Sequence, residues 1–142
     1  MSKRERILST YLKVQRAAES VRVRVYSRLA KYNLSESQIE VLEALMNLGP
    51  LTQKQLGSKV FKSGGNITMV VDNLEKLGYV IRKRGKPDRR FFTVHLTDKG
   101  KEKIKEIFPV IVDVISEELK MLTKSEHNEL QRLSKKIGLG AK

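Results

Sequence analysis

Residues 52–97 read TQKQLGSKVFKSGGNITMVVDNLEKLGYVIRKRGKPDRRFFTVHLT, and the hydrophobic period changes within them from helical to alternating. Thr52-Gln53-Lys54-Gln55 has the form of a capping box, in which hydroxyl and amide satisfy exposed N–H groups reciprocally, so a short helix carrying Leu56 and Val60 opens there. It stops near Phe61 to Ser63. Ser63 precedes Gly64-Gly65-Asn66, after which Ile67, Val70, Val71, Leu74 and Leu77 recur at helical spacing as far as Gly78, predicting a second helix of about four turns. Its start is poor in helix formers, at roughly 1 kcal/mol per Gly relative to Ala in a helix interior, and absent side chains let a backbone approach a ligand closely. From Tyr79 the period is two: Val80, Arg82 and Arg84 alternate with Ile81 and Lys83, and Phe92, Val94 and Leu96 alternate with Phe91, Thr93 and His95. Gly85-Lys86-Pro87-Asp88 is a turn cluster between them, so this segment is a β-hairpin.

Two helices across a tight turn, followed by a basic hairpin, suit a helix-turn-helix whose second helix enters the major groove N-terminus first. Ser63, Gly65, Asn66 and Thr68 can offer hydroxyl, backbone N–H or amide groups to phosphates and base edges, and Met69 can meet a thymine methyl. A packing helix behind a glycine-tolerant turn would look the same taken alone; the hairpin tips the balance. Residues 82–90 hold six bases, Arg82, Lys83, Arg84, Lys86, Arg89 and Arg90, against the single acid Asp88. A protruding tip of this kind suits the negative potential of a narrow minor groove. Asp88 can accept from Arg90 or from the turn backbone and hold the tip in shape.

Outward toward the N-terminus, Ile7, Tyr11, Val14, Ala18, Val21, Val25 and Tyr32 form a helical stripe in a stretch free of Gly and Pro. A helix from Glu5 to Tyr32 would be roughly 40 Å long, more than a small domain needs, and its stripe predicts a partner chain. Ser35-Glu36-Ser37-Gln38 is a second capping box, with Ile39, Leu42, Leu45, Met46 and Leu48 on the buried side and Gly49-Pro50 ending the helix. Outward toward the C-terminus, Thr97-Asp98 caps a helix with Ile104, Ile107, Phe108, Ile111, Ile115, Leu119 and Leu122 in a stripe, which Pro109 should kink or break. Thr123-Lys124-Ser125-Glu126 opens a last helix that buries Leu130, Leu133 and Ile137 and closes at Gly138. The fold class is mainly α with a small β-hairpin wing.

A chain of 142 residues suits one domain, and 29 Lys plus Arg against 16 Asp plus Glu make its net charge +13. Such an excess favours a polyanionic partner, double-stranded DNA above all. The excess is uneven, +7 on residues 1–32 and +5 on residues 61–97. With no Cys and only His95 and His127, far apart, there is no thiol chemistry and no metal site. Phosphate-binding loops and metalloprotease motifs are also missing, so the chain is read as neither an enzyme nor a cofactor carrier. No run approaches ~18 apolar residues and the start carries no h-region, so a soluble cytoplasmic protein without membrane contact is expected.

The stretch from Asp88-Arg89-Arg90 through Leu96-Thr97-Asp98-Lys99-Gly100 resembles the wing signature of the MarR family of winged-helix transcription regulators. Ile67-Thr68 and Val71 to Val80 resemble that family's recognition helix and its exit into the wing, and the likeness spans about residues 7 to 139. It implies a homodimer in which residues 1–33 and 98–142 are dimerisation helices, and a winged helix-turn-helix over residues 34–97. It implies that Asp88 and Arg90 are the wing pair, with Arg90 in the minor groove. Repression released by a small phenolic or other aromatic effector is also implied. A cleft under the long helices would draw on side chains such as Tyr11, Tyr26 and Phe108, each of which core packing would also use.

The lack of Cys sets the chain apart from relatives that sense by thiol oxidation, and two His disfavour zinc sensing. Its basic first helix is expected to widen the positive field or line a site for an acidic ligand through part of Lys3, Arg4, Arg6, Arg16, Arg22, Arg24 and Arg28. The leading reading is a dimeric regulator on a pseudo-palindromic operator with half-sites roughly 10 bp apart. The alternative is a basic architectural protein that coats duplex without preference or effector; docking on an anionic membrane or an acidic protein ranks below both.

Overall fold

Side-chain caps set the helix starts of the computed structural model, which describes residues 1–60, 66–85 and 90–139. Ser2 with Glu5 opens α1 (Lys3–Ser27), Ser35 with Gln38 opens α2 (Glu36–Leu48), and Thr52 with Gln55 opens α3 (Gln53–Lys59), each as a complete capping box. Asn66 caps α4 (Ile67–Lys76), and Thr97 caps α5 (Asp98–Glu118). Thr123 and Glu126 exchange the same reciprocal bonds at the start of α6 (Lys124–Leu139).

Between α4 and α5 run β2 (Val80–Arg84) and β3 (Phe92–Leu96), antiparallel, with Val80 opposite Leu96 and Arg84 opposite Phe92. The hairpin closes at its outer end through the Gly85 N–H, which donates to the Phe91 carbonyl at 2.7 Å. A third strand, β1 (Leu51–Thr52), pairs with β3 and gives the order β1-β3-β2. It has only two residues and one of them doubles as the cap of α3, so alternation had no length over which to reveal it.

The core lies where α2 and α5 cross, with α3, α4, the sheet and the end of α1 around it. Leu29, Ile39, Leu42, Leu56, Leu74, Val94, Ile104 and Ile107 are fully buried there. Each is worth about 1.5–3 kcal/mol relative to an exposed side chain.

Several expectations are corrected. The first helix ends at Ser27; a 3-10 turn follows at Ala30–Tyr32, and Asn33 takes the left-handed conformation at φ 56°, which asparagine tolerates better than most. α4 starts after the glycines and has about three turns. α5 runs unbroken through Pro109, whose exposed position leaves the carbonyl one turn back, on exposed Lys105, open to water. Gly138 lies inside α6 instead of closing it. On α2 the buried side includes Val41, while Leu48 is exposed.

The largest departure concerns α6 and the first two-thirds of α1. Leu130, Leu133 and Ile137 are 50%, 40% and 59% exposed, and every described side chain of α6 except His127 faces solvent. Ile7, Leu8, Tyr11 and Val14 of α1 are exposed as well. The predicted stripes exist, but this chain alone does not cover them.

Candidate nucleic-acid interface

The start of α4 is built by Asn66, whose Oδ1 accepts from the N–H of Thr68 at 3.0 Å and of Met69 at 3.4 Å. The cap takes up two of the helix's unpaired donors, and Asn66, Thr68 and Met69 are all exposed along this end. Thr68 is steadied from α3, since Gln53 Nε2 donates to its Oγ1 at 3.1 Å. Asn66 therefore has a structural task beside the readout expected of it. Asn66→Ala should cost about 1 kcal/mol in urea unfolding, whereas Asn66→Ser should keep the cap while removing the amide, so a change in sequence preference in the serine variant, at unchanged stability, isolates readout from folding.

Arg82 ties the hairpin to both helices. Its backbone N–H and Nη1 donate to Glu75 Oε2 and Oε1 at 3.1 and 3.0 Å, and Nη2 lies 2.6 Å from Asp72 Oδ1. Nε donates to Gln53 Oε1 at 2.9 Å, and Nη2 also reaches the Thr68 carbonyl at 3.3 Å. The side chain is 18% exposed. A residue expected to meet DNA thus spends its guanidinium within the chain, where it neutralises Asp72 and Glu75, the only acids of α4. The signal lay in the alternation: Arg82 shares parity with buried Val80 and stands opposite buried Val94, on the core side of the hairpin.

Arg82→Ala should therefore destabilise the chain by about 2 kcal/mol, by leaving two partly exposed carboxylates unpaired. It should also lower DNA affinity at least ~10-fold, because those carboxylates would then face phosphate. Arg82→Lys should recover charge but not the forked geometry, and so only part of either loss. Urea unfolding and duplex anisotropy on the three proteins test this.

Farther out on the hairpin, Arg84 lies over the Phe92 ring at 4.7 Å and Arg90 lies 5.9 Å from the Phe91 ring. Arg84, Arg90, Phe91 and Phe92 are exposed, so the aromatic faces hold arginines at the surface by cation–π contact. Lys86, Asp88 and Arg89 of the expected wing, and Ser63 and Gly65 of the expected recognition helix, lie outside the described residues.

The three side chains suggested for an effector cleft are not gathered by one chain. Tyr11 and Tyr26 share α1 but stand about 22 Å apart at ~1.5 Å per residue. Tyr26 is half-buried, and burial, reinforced by Glu40, Glu43 and Glu36, pushes its phenol well above the usual range. Burial likewise raises the carboxyl of Glu43. Phe108 is half-buried on α5.

Two of the arginines expected to widen the field are occupied. Arg22 pairs with Glu19 and Glu36, and Arg24 Nε meets Glu118 Oε2 at 2.6 Å, fastening α1 to α2 and α5. Neutralising them would loosen the packing of α1 and would not be a clean test of its charge.

The family model described as "Transcriptional regulator SarA/Rot" matches residues 24–107. The HTH-type transcriptional regulator MhqR of Bacillus subtilis is 32% identical over 138 residues, covering 97% of this chain and 95% of its own. A crystal structure of a MarR-like transcription regulator from Bacillus cereus superposes with a TM-score of 0.85 at 22% identity, covering 97% and 99% of the two chains. The organohalide-sensing regulator RdhR, solved in its 2,4-dichlorophenol-bound form, superposes with a TM-score of 0.80 at 19% identity over 99% of this chain and 83% of its own.

Proposed function

Because this chain belongs to the MarR-type winged-helix transcriptional regulators, we propose that it acts as a homodimer that grips a pseudo-palindromic operator and lets go when a small aromatic ligand binds. The exposed start of α4 beside a wing of aromatic-stacked arginines, with the acids of α4 neutralised by Arg82, carries the reading. Asn66, Thr68 and Met69, continuing back to Ser63 and Gly65, meet the major groove; Arg84, Lys86, Arg89 and Arg90 reach along the backbone and into the adjacent minor groove, with Asp88 steadying the tip.

Residues 1–33 and 98–142 supply the dimer and residues 34–97 the DNA-binding unit. The uncovered apolar side chains of α1 and α6 support the first part, since isolated helices of this length are marginal in water without packing. The effector reading is supported by the half-buried tyrosine at the junction of α1 and α2, and by the phenol held by RdhR. Blocking a promoter makes the dimer a repressor, and no described helix is long and apolar enough to cross a membrane.

Arg90→Ala tests the wing. Affinity for the selected operator should fall by about 1–3 kcal/mol, and the slope of log affinity against log salt should lose about one unit. Unchanged affinity and slope would remove Arg90 from the interface.

A further inference from the structure

Of the described aromatic side chains only three are exposed. Tyr11 lies in the α1 stripe; the other two, Phe91 and Phe92, are neighbours at the outer end of the hairpin and are 57% and 40% exposed. A phenylalanine gains nothing from water, and two together on a projecting hairpin call for a surface that covers them. A second copy of this wing is a poor cover, because residues 82–90 carry six bases and the copies would repel one another. The cations around the rings, Lys83, Arg84 and Arg90, are all exposed and suit a surface that is anionic at its edges and apolar between them.

The two rings are held differently. Phe92 stands opposite Arg84 in the hairpin register, and the guanidinium covers its face at 4.7 Å. Phe91 has Arg90 at 5.9 Å, near the outer limit of such a contact, and is the more exposed of the two. Its backbone is nevertheless fixed, since its carbonyl accepts the Gly85 N–H that closes the hairpin. It shares parity with Thr93 and His95, away from buried Val94. A large apolar side chain thus projects from an ordered strand end, between cations able to hold phosphates on either side of it.

We propose that Phe91 is a wedge. In the DNA reading above, on which this rests, its ring enters the minor groove beside Arg90 and inserts between two stacked base pairs, exchanging the loose arginine contact for base faces. Insertion of this kind unstacks the step and kinks the duplex by roughly 20–90° toward the major groove. It is cheapest at the flexible TpA and CpA/TpG steps, so the chain selects a step without a hydrogen bond to any base there. The bound operator is bent once in each half-site, and Phe92 stays behind as the platform for Arg84.

The test places 2-aminopurine, which stacking quenches, at successive steps of the selected operator where the wing lands, and reads the bend by energy transfer between dyes at the duplex ends. Wild type should brighten one step in each half-site and bend the duplex there by at least about 20°. Phe91→Leu keeps an apolar wedge without an aromatic face and should do both; Phe91→Ala should do neither, and should bind at least ~10-fold more weakly with an unchanged salt slope, because no charge is lost. Both variants change an exposed side chain and should unfold at the wild-type urea midpoint. A leucine variant that behaves like alanine would make the ring a platform for Arg90 only and overturn the wedge, as would an alanine variant that still bends the duplex. Tight operator binding by wild type to a duplex that stays straight and dark overturns this proposal alone, whereas failure to bind any duplex overturns the DNA reading with it.

Discussion

Replacing Leu130 and Leu133 together with glutamate is expected to leave the protein monomeric and to destroy tight operator binding. Both side chains lie on α6, which packs weakly on the rest of its own chain, so their loss should do little harm to the core of α2, α3, α4 and α5. In a dimer they would be covered by a second copy together with Ile137 and the α1 stripe of Ile7, Tyr11 and Val14. Removing two leucines forfeits about 1.5–3 kcal/mol each, and burying a carboxylate in their place adds a desolvation cost. Together these should weaken association by at least about 10³-fold. Operator affinity falls with it, because the second half-site is no longer presented at a high effective concentration. Sedimentation equilibrium with operator anisotropy reads both effects; a double variant that remains dimeric would place the interface elsewhere.

Gly100→Ala should be the most damaging single methyl in the described part of the chain. An added Cβ would stand 2.0 Å from the Tyr79 carbonyl oxygen and 2.9 Å from its carbon, which are backbone atoms and cannot rotate aside. The approach is close because Thr97 binds the two segments together: its N–H donates to the Tyr79 carbonyl, its hydroxyl donates to the Gly78 carbonyl at 2.6 Å, and that hydroxyl accepts from the Gly100 N–H. The methyl would push α5 away from the turn between α4 and β2, at a cost of about 3 kcal/mol. Gly138→Ala is the control, since nothing lies within 4 Å of that position and alanine is the better helix former. Urea unfolding should separate the two variants widely; equal midpoints would show that α5 is not seated on that turn.

The same Thr97 and Gly100 show what could be read in the sequence and what could not. Capping boxes at Ser35, Thr52 and Thr123 are local chemistry, and each starts a helix where its spacing says it should. The hairpin was equally legible, because five alternating residues on each side are enough to fix a period. The role of Gly100 depends on a carbonyl 21 positions earlier in the chain, and nothing in the surrounding residues betrays it. Arg82 was half legible: its charge suggested phosphate, and its parity with Val80 pointed inward to the carboxylates it meets. At Pro109 a residue rule yielded to context, because a helix packed against α1 and α2 can give up one exposed rung.

The aromatic cleft fared differently from the fold. Tyr11, Tyr26 and Phe108 were grouped by chemical type, but a single helix separates the two tyrosines by more than the length of a small ligand.

Selection from a random duplex pool with the purified protein tests the proposed function most directly, with affinity then measured for the winner and for a scrambled duplex at two salt concentrations. A pseudo-palindrome with half-sites roughly 10 bp apart, bound at least ~10³-fold more tightly than the scramble, is the expected result. No enriched site, with equally steep salt dependence on every duplex, would contradict it and leave a basic protein that coats DNA by charge alone.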